Sequence, residues 1–377
     1  MVTTLDDAER AAWVAFNRTP GVGVVRFRRL LEHFGSLAEA WRAPRHGLAE
    51  AGLDRRSLDG VTQLRAQLEP ARELERVRAA GVTVLTWADE SYPALLKEIA
   101  DPPPVLYVKG SLTSDDAGAV AIVGTRRATV YGRDVAERIA RDLASTGITV
   151  VSGLAKGIDT HAHRGALAGG GRTIAVLGHG LDTIYPSDNR RLAAEIEARG
   201  ALISDYAIGT GPLAENFPPR NRIISGLSAG VVVVEADHTS GALITAKFAL
   251  EQGRDVLAVP GPITAPSSRG CNQLIQDGAR LITSAEDVLE ELNPHLTARA
   301  TPSQLALNLA PGATGASAVE AEHPLIAALR EFGQATHVDQ LARSLGLPIS
   351  EVTGGLALLE LEGRVRHAGG MRYQLTR

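Results

Sequence analysis

The side chains best suited to chemistry in this chain are those that could hold phosphate and stack on a planar ring. Ile122-Val123-Gly124-Thr125-Arg126-Arg127 reads as a strand that ends in a glycine and two arginines and then enters a helix. Ligands of doubly wound sheets sit beyond the carboxyl ends of strands. There Gly124 would allow close backbone approach, and Arg126, with Arg127 beside it, would present a guanidinium fork to phosphate. The competing reading of Arg126 is an ion pair at the surface. A second strand runs into Ser152-Gly153-Leu154-Ala155-Lys156-Gly157-Ile158-Asp159. Ser152, Gly153 and the amides ahead of a helix start would form an anion cradle, with Lys156 as its point charge.

Two further segments add to this set. In Glu215-Asn216-Phe217-Pro218-Pro219-Arg220-Asn221-Arg222 an aromatic ring stands beside two prolines and two arginines, with no helical or strand periodicity to bury it. Phe217 is either a stacking platform for a base beside Arg220, Asn221 and Arg222, or a pin that ties a stiff loop to the core. Only 15 of the 377 residues are aromatic, so the placement of this one carries information. Ser240-Gly241 opens another helix and suits phosphate amides, while Lys247, two turns in, belongs either to that site or to a solvated face.

Several chemistries are excluded or disfavoured. Asp159, His161 and His163 have a spacing that suggests a metal. On a helix, however, 159 and 163 share a face and 161 points away, so Asp159 is expected to act as a cap and His163 to make a local hydrogen bond. The dinucleotide fingerprint G-x-G-x-x-G is absent, and the second strand ends in Ser152-Gly153 where a nicotinamide enzyme places an acidic residue. No cofactor is expected. Cys271 is the only cysteine, which rules out an intramolecular disulfide and points to a reducing compartment. With no basic partner in sequence it reads as a structural thiol. Tyr185-Pro186 reads as well as a packed turn as it does as a wall of the site.

The elements that must position these residues follow from periodicity. Residues 1–80 carry apolar positions at helical spacing, with Thr19-Pro20-Gly21-Val22-Gly23 as the turn of a helix-hairpin-helix or simply of a small SAM-like helical domain. Residues 81–292 alternate near-continuous apolar strands with amphipathic helices. This pattern predicts an α/β domain with a Rossmann-like, doubly wound parallel sheet. Residues 293–322 are poor in charge and rich in small residues, as in a flexible linker. Residues 323–377 predict three helices and a Gly-Gly hairpin, a winged helix.

Length and composition fit two or three globular domains: 44% of residues are hydrophobic and 22% charged, and the net charge is −4. No segment is a basic tail by count, so phosphate must be held by a few convergent residues. Only four of the 39 basic residues are lysine, so a surface arginine is weak evidence taken alone. The acidic start Met1–Asp7 lacks a secretory pattern, and the apolar runs are strand-sized, well short of the ~18 residues of a membrane span. A cytoplasmic protein is expected.

Taken together, Val123-Gly124-Thr125-Arg126, the Ser152–Asp159 string, Gly180-Leu181-Asp182-x-Ile184-Tyr185-Pro186, Arg220-Asn221-Arg222-Ile223-Ile224, Ser240-Gly241-x-Leu243-x-Thr245-Ala246, Val259-Pro260-Gly261 and Gly270-x-Asn272-x-Leu274-Ile275 closely resemble the bacterial DNA-processing protein A family, DprA or Smf. The resemblance implies a protein without an established catalytic reaction that binds and protects single-stranded DNA and helps load the recombinase RecA during natural transformation. It also implies a homodimer formed through the Rossmann-like domain, with Arg126 and Lys156 as phosphate contacts and Phe217 as the stacker. Duplex DNA is a further expected partner of the flanking domains. Two other functions compete. A nucleotide-processing hydrolase would need P-G-G-x-G-T-x-x-E, which is missing, and paired general acids, which are not evident. A winged-helix regulator would need base-reading side chains, yet Ile349–Leu356 offers Glu351 and no arginine.

Overall fold

The structure, a computed structural model, describes residues 5–297, 324–347, 349–361 and 364–376. It divides into two compact units, Met1–Ala306 and Leu307–Arg377. The first holds a nine-stranded sheet in the order β1-β2-β6-β5-β4-β3-β7-β8-β9. Its strands are β1 (Thr83–Thr86), β2 (Val105–Gly110), β3 (Val120–Val123), β4 (Val150–Ser152), β5 (Thr173–Val176), β6 (Ala201–Ser204), β7 (Gly230–Val233), β8 (Asp255–Ala258) and β9 (Arg280–Leu281). From β6 across to β9 every pairing is parallel. The first two strands extend the sheet antiparallel, so it is mixed at one edge.

Side-chain alternation explains why this sheet is covered on both faces. Val120 and Ile122 join a core with the helices Val130–Ser145 and Ile158–Ala168, whereas Ala121 and Val123 face the helices Phe217–Gly226 and Gly241–Glu251. Chain order runs from β3 through β4 and β5 to β6 in one direction and then returns to place β7 on the other side of β3. The β3/β7 boundary is therefore the topological switch point, where loops diverge and leave a crevice.

Six helices between Asp7 and Ala79 form the N-terminal part. Their apolar faces do not close on themselves. Phe16, Phe27 and Leu37 share one continuous core with Tyr107 of β2, Leu202 of β6 and Leu192 and Ile196 of the helix Arg190–Arg199. The turn at Gly21 has φ +82°, and its carbonyl accepts from Arg26 and from Ser57, so the hairpin is tied down internally. The predicted linker begins inside the helix Ala285–Thr297, and its residues from 298 onward lie outside the described ones. In the second unit the helices Pro324–Phe332, Val338–Leu345 and Ile349–Leu361 accompany a three-stranded sheet, whose strand Thr336–His337 lies between the first two helices and whose strands Val365–His367 and Arg372–Leu375 follow the third, the expected winged helix.

His163 shows how tightly the sheet side of this layer is sealed. The Thr173 hydroxyl donates to the Val150 carbonyl at 2.7 Å, so its oxygen must accept from His163 Nδ1, also at 2.7 Å. Nε2 is then a buried acceptor without a partner. Burial, followed by the charge of Arg220, pushes the imidazole down to about 3. Below the ordinary value of 6.5 the unfolded chain takes up a proton that the folded chain refuses. Stability should therefore fall as pH drops from 6.5 towards 3, by up to about 1.4 kcal/mol per pH unit from this group. Denaturant unfolding between pH 7 and 5 should show this slope in the wild type and a shallower one in His163→Gln.

Candidate nucleic-acid interface

The loops that follow β3, β4 and β7 contain backbone donors of the kind that bind phosphate in other doubly wound folds, and here acidic side chains of the chain itself occupy them. After β7, the Glu235 carboxylate accepts from the Thr129 amide at 2.9 Å and the Thr129 hydroxyl at 2.6 Å, at the start of the helix Val130–Ser145. After β4, the Asp159 carboxylate accepts from the amides of Gly153 at 3.1 Å and Ala155 at 3.3 Å. Asp159 thus closes the loop before its helix instead of capping the helix, as the sequence had suggested. Burial pushes its carboxyl above the ordinary range, against the pull of Arg220.

Arg220 completes the internal closure. Its guanidinium, 3% exposed, donates to the carbonyls of Gly153 and Val176, and burial pushes it down to about 10. A β-carbon on Gly153 would stand 2.8 Å from both the Arg220 guanidinium and the Asp159 carboxylate, which is why this position needs glycine. In this structure Arg220 is accordingly a buried lock engaged within the loops. Three other expected contacts are also engaged internally. Ser152 is buried with its hydroxyl on the Ile122 carbonyl. The Gly153 amide is taken by Asp159. Arg222 lies between Asp101 at 3.2 Å and Asp205 at 3.0 Å, with its side chain 12% exposed. A β-carbon at Gly124 would be 2.5 Å from Ile158, so the close backbone approach this glycine permits is to the neighbouring helix.

The remaining residues divide into two groups. Asn221 donates to the Gly241 carbonyl at 3.3 Å, Ser240 caps its own helix by accepting from the Ala242 amide, and Lys247 pairs along that helix with Glu251 at 3.8 Å, a solvated face. Arg126, Arg127 and Lys156 are exposed and converge with Arg133, His161 and Asp188 on an open cleft of about 310 Å³. Lys156 does not stand free in it: its ammonium lies 2.5 Å from Asp188, an attraction that raises the lysine above its ordinary pKa and lowers the aspartate.

Phe217 is the first residue of a helix, not part of an irregular loop; Pro218 and Pro219 fit the opening turn, where no intrahelical donor is needed. That turn presses its half-buried ring towards Gly178, Arg220 lies 5.8 Å from the ring centroid and the exposed Arg126 lies 5.4 Å from it. Tyr185, 47% exposed, joins the same platform at 5.9 Å between centroids. Sequence reasoning left Tyr185 undecided and did not select Arg133 or His161. All three lie on loops and helix starts that meet only through the parallel sheet, and the Tyr-Pro pair ahead of the helix Arg190–Arg199 was the one local signal. His161 pairs with Glu137 at 3.1 Å, and among the described residues no three His, Cys, Asp or Glu side chains gather to hold a metal. Cys271 is buried, and its thiol is pushed up to about 12 by burial, an inert core group. No described helix is long and apolar enough to cross a membrane.

Comparison with known proteins places this arrangement. Residues 83–293 match the family model described as DNA recombination-mediator protein A, residues 7–59 a DprA-like N-terminal HHH domain and residues 310–371 a DprA winged helix domain. Protein Smf of Synechocystis is 39% identical over 397 residues, covering 98% of this chain and 99% of its own. Protein Smf of Escherichia coli is 43% identical over 295 residues, 76% of each chain. The X-ray structure of DNA processing protein A from Streptococcus pneumoniae superposes with a TM-score of 0.67 at 37% identity, covering 77% of this chain and 99% of that one. A structure of DNA processing protein A from Helicobacter pylori, described for its single-stranded DNA binding mode, gives 0.51 at 32% identity over 58% and 96% of the two chains. With a helix-hairpin-helix, a Rossmann-like sheet and a winged helix in that order, the chain belongs to the DprA/Smf family of DNA-processing recombination mediators.

Proposed function

We propose that this protein binds single-stranded DNA without turnover, through the cleft of Arg126, Arg127 and Lys156 and the platform of Phe217 and Tyr185. In this reading it protects the strand and hands it to RecA during natural transformation, as a cytoplasmic homodimer. The observation that carries the reading is the exposed Arg126 guanidinium 5.4 Å from the Phe217 centroid, at the mouth of a basic cleft. A cation beside an aromatic face supplies both halves of sequence-tolerant strand binding, phosphate attraction and base stacking. Filled backbone cradles speak against a free nucleotide as ligand, because Glu235 and Asp159 already satisfy the amides a terminal phosphate would use. Side-chain contacts to phosphate and stacking read no base edges, so little sequence preference is expected.

Affinity for an oligothymidylate across a salt series tests these roles. Arg126→Ala should weaken binding and shallow the salt slope by about 0.7, one phosphate contact on a single strand. Phe217→Ala should cost about 1–3 kcal/mol of affinity with the slope nearly unchanged. Arg220→Ala should act on the fold, costing about 1–3 kcal/mol of stability for each buried carbonyl, of Gly153 and Val176, left without this donor. A folded Arg220→Ala protein that loses slope but not stability would return that residue to the DNA surface.

Asp188 competes with DNA for Lys156. In Asp188→Asn the ammonium is released and a negative charge leaves the cleft. Binding should tighten on the order of two- to fivefold at low salt, with a steeper salt dependence, and the gain should disappear in Asp188→Asn/Lys156→Ala. Equal affinity of Asp188→Asn and wild type across the salt series would remove Lys156 from the site.

A further inference from the structure

We infer that Glu235 is a positioning residue for DNA binding: it clamps both ends of the Thr125–Thr129 loop that carries Arg126 and Arg127, and it does so from outside the cleft. The inference rests on the cleft being the strand-binding site. Glu235 is 3% exposed and sits just after β7, across the switch point from the loop it holds. Its main-chain carbonyl accepts from the Thr125 amide at 2.7 Å, and its carboxylate accepts from the Thr129 amide at 2.9 Å and hydroxyl at 2.6 Å. One residue therefore bonds to the loop on either side of the two arginines.

The surrounding contacts hold this carboxylate in place. The Thr129 oxygen accepts from the Gly132 amide at 3.1 Å, so its proton is directed at Glu235, and the Ser267 hydroxyl reaches the same carboxylate oxygen at 3.3 Å. Three groups meet the carboxylate, the Thr129 amide on one oxygen and the Thr129 and Ser267 hydroxyls on the other. Because a hydroxyl also accepts, a glutamine can keep this pattern with its oxygen on the amide and its NH₂ on the hydroxyls, whereas alanine removes all three contacts. The fit is also steric: a β-carbon at Gly132 would stand 2.2 Å from the Glu235 carboxylate. On its other side the loop is held by the Ile158 amide donating to the Thr125 carbonyl at 3.2 Å, and by Gly157, where a β-carbon would meet that oxygen at 2.3 Å. Free of these ties, the loop would have to pay the ordering entropy of its arginines when DNA arrives, and affinity would fall by that amount.

The effect must run through Arg126 and Arg127, which a double-mutant cycle detects. Oligothymidylate affinity would be measured at matched salt on the full chain for wild type, Glu235→Ala, Thr129→Val, Arg126→Ala/Arg127→Ala, and each loop variant combined with the arginine pair. Thr129→Val removes the hydroxyl tie and its cap on the Gly132 amide while leaving Glu235 in place, a milder variant should the alanine fail to fold. Folded Glu235→Ala or Thr129→Val should bind about five- to tenfold more weakly, bounded by the loss on removing both arginines, and should cause no further loss once those arginines are gone. Additive losses would mean that Glu235 acts on the fold at large and would overturn the inference, as would unchanged affinity in both folded loop variants. If Arg126→Ala/Arg127→Ala binds like wild type, the cleft is not the strand site and the positioning role falls with it.

Discussion

The arrangement depends on one constraint: buried backbone donors and acceptors at the ends of a parallel sheet must be satisfied. At the switch point of this sheet, Glu235, Asp159 and Arg220 do this internally, each at 7% exposure or less. An unsatisfied buried polar group costs about 1–3 kcal/mol, so three charged side chains in these loops represent a large share of a domain's net stability. Their placement seals the crevice that a nucleotide occupies in other members of this architecture. What is left for a ligand is the outer surface of the same loops, where Arg126, Arg127 and Lys156 project into an open cleft. Such a surface suits a long, flexible polyanion better than a small molecule requiring enclosure.

Rigidity of the platform follows from the same closure. Arg220, locked onto Gly153 and Val176, supports the Phe217 ring, and the prolines behind Phe217 fix the first turn of its helix. Stacking on a ring that is already immobile loses little entropy on binding. The charge balance is equally economical. Arg222 and Lys156 are both paired with aspartates, so only part of the basic character counted in the sequence is free to meet phosphate.

Much of this was legible in the sequence, because near-continuous apolar strands between amphipathic helices admit few alternatives. Most strands and helices and the winged helix were expected from periodicity, but the two-residue strands Arg280–Leu281 and Thr336–His337 were not. The cleft residues Arg126, Arg127 and Lys156 were chosen by their place after strands. What the sequence did not reveal has a common physical cause. Arg126 and Arg220 have the same side chain in similar settings, a loop rich in glycine or proline, yet one is exposed and the other buried. Only the tertiary location of Asp159 and the Gly153 carbonyl separates them. Likewise Glu235 reads in sequence as the end of a strand, and its clamp on Thr129, 106 residues away, cannot be seen from spacing. Phe217 was expected in an irregular loop because two prolines look like breakers; in the opening turn of a helix they are tolerated.

Photocrosslinking tests the central claim most directly. A single-stranded oligonucleotide carrying 5-iododeoxyuridine would be irradiated on the full-length protein, and the modified peptides would be identified by mass spectrometry. Stacking on the outer surface of the closed switch point predicts adducts on Phe217 or Tyr185. Adducts confined to the wing residues 364–376 or to the helical hairpin at Gly21, with none on Phe217 or Tyr185, would contradict it.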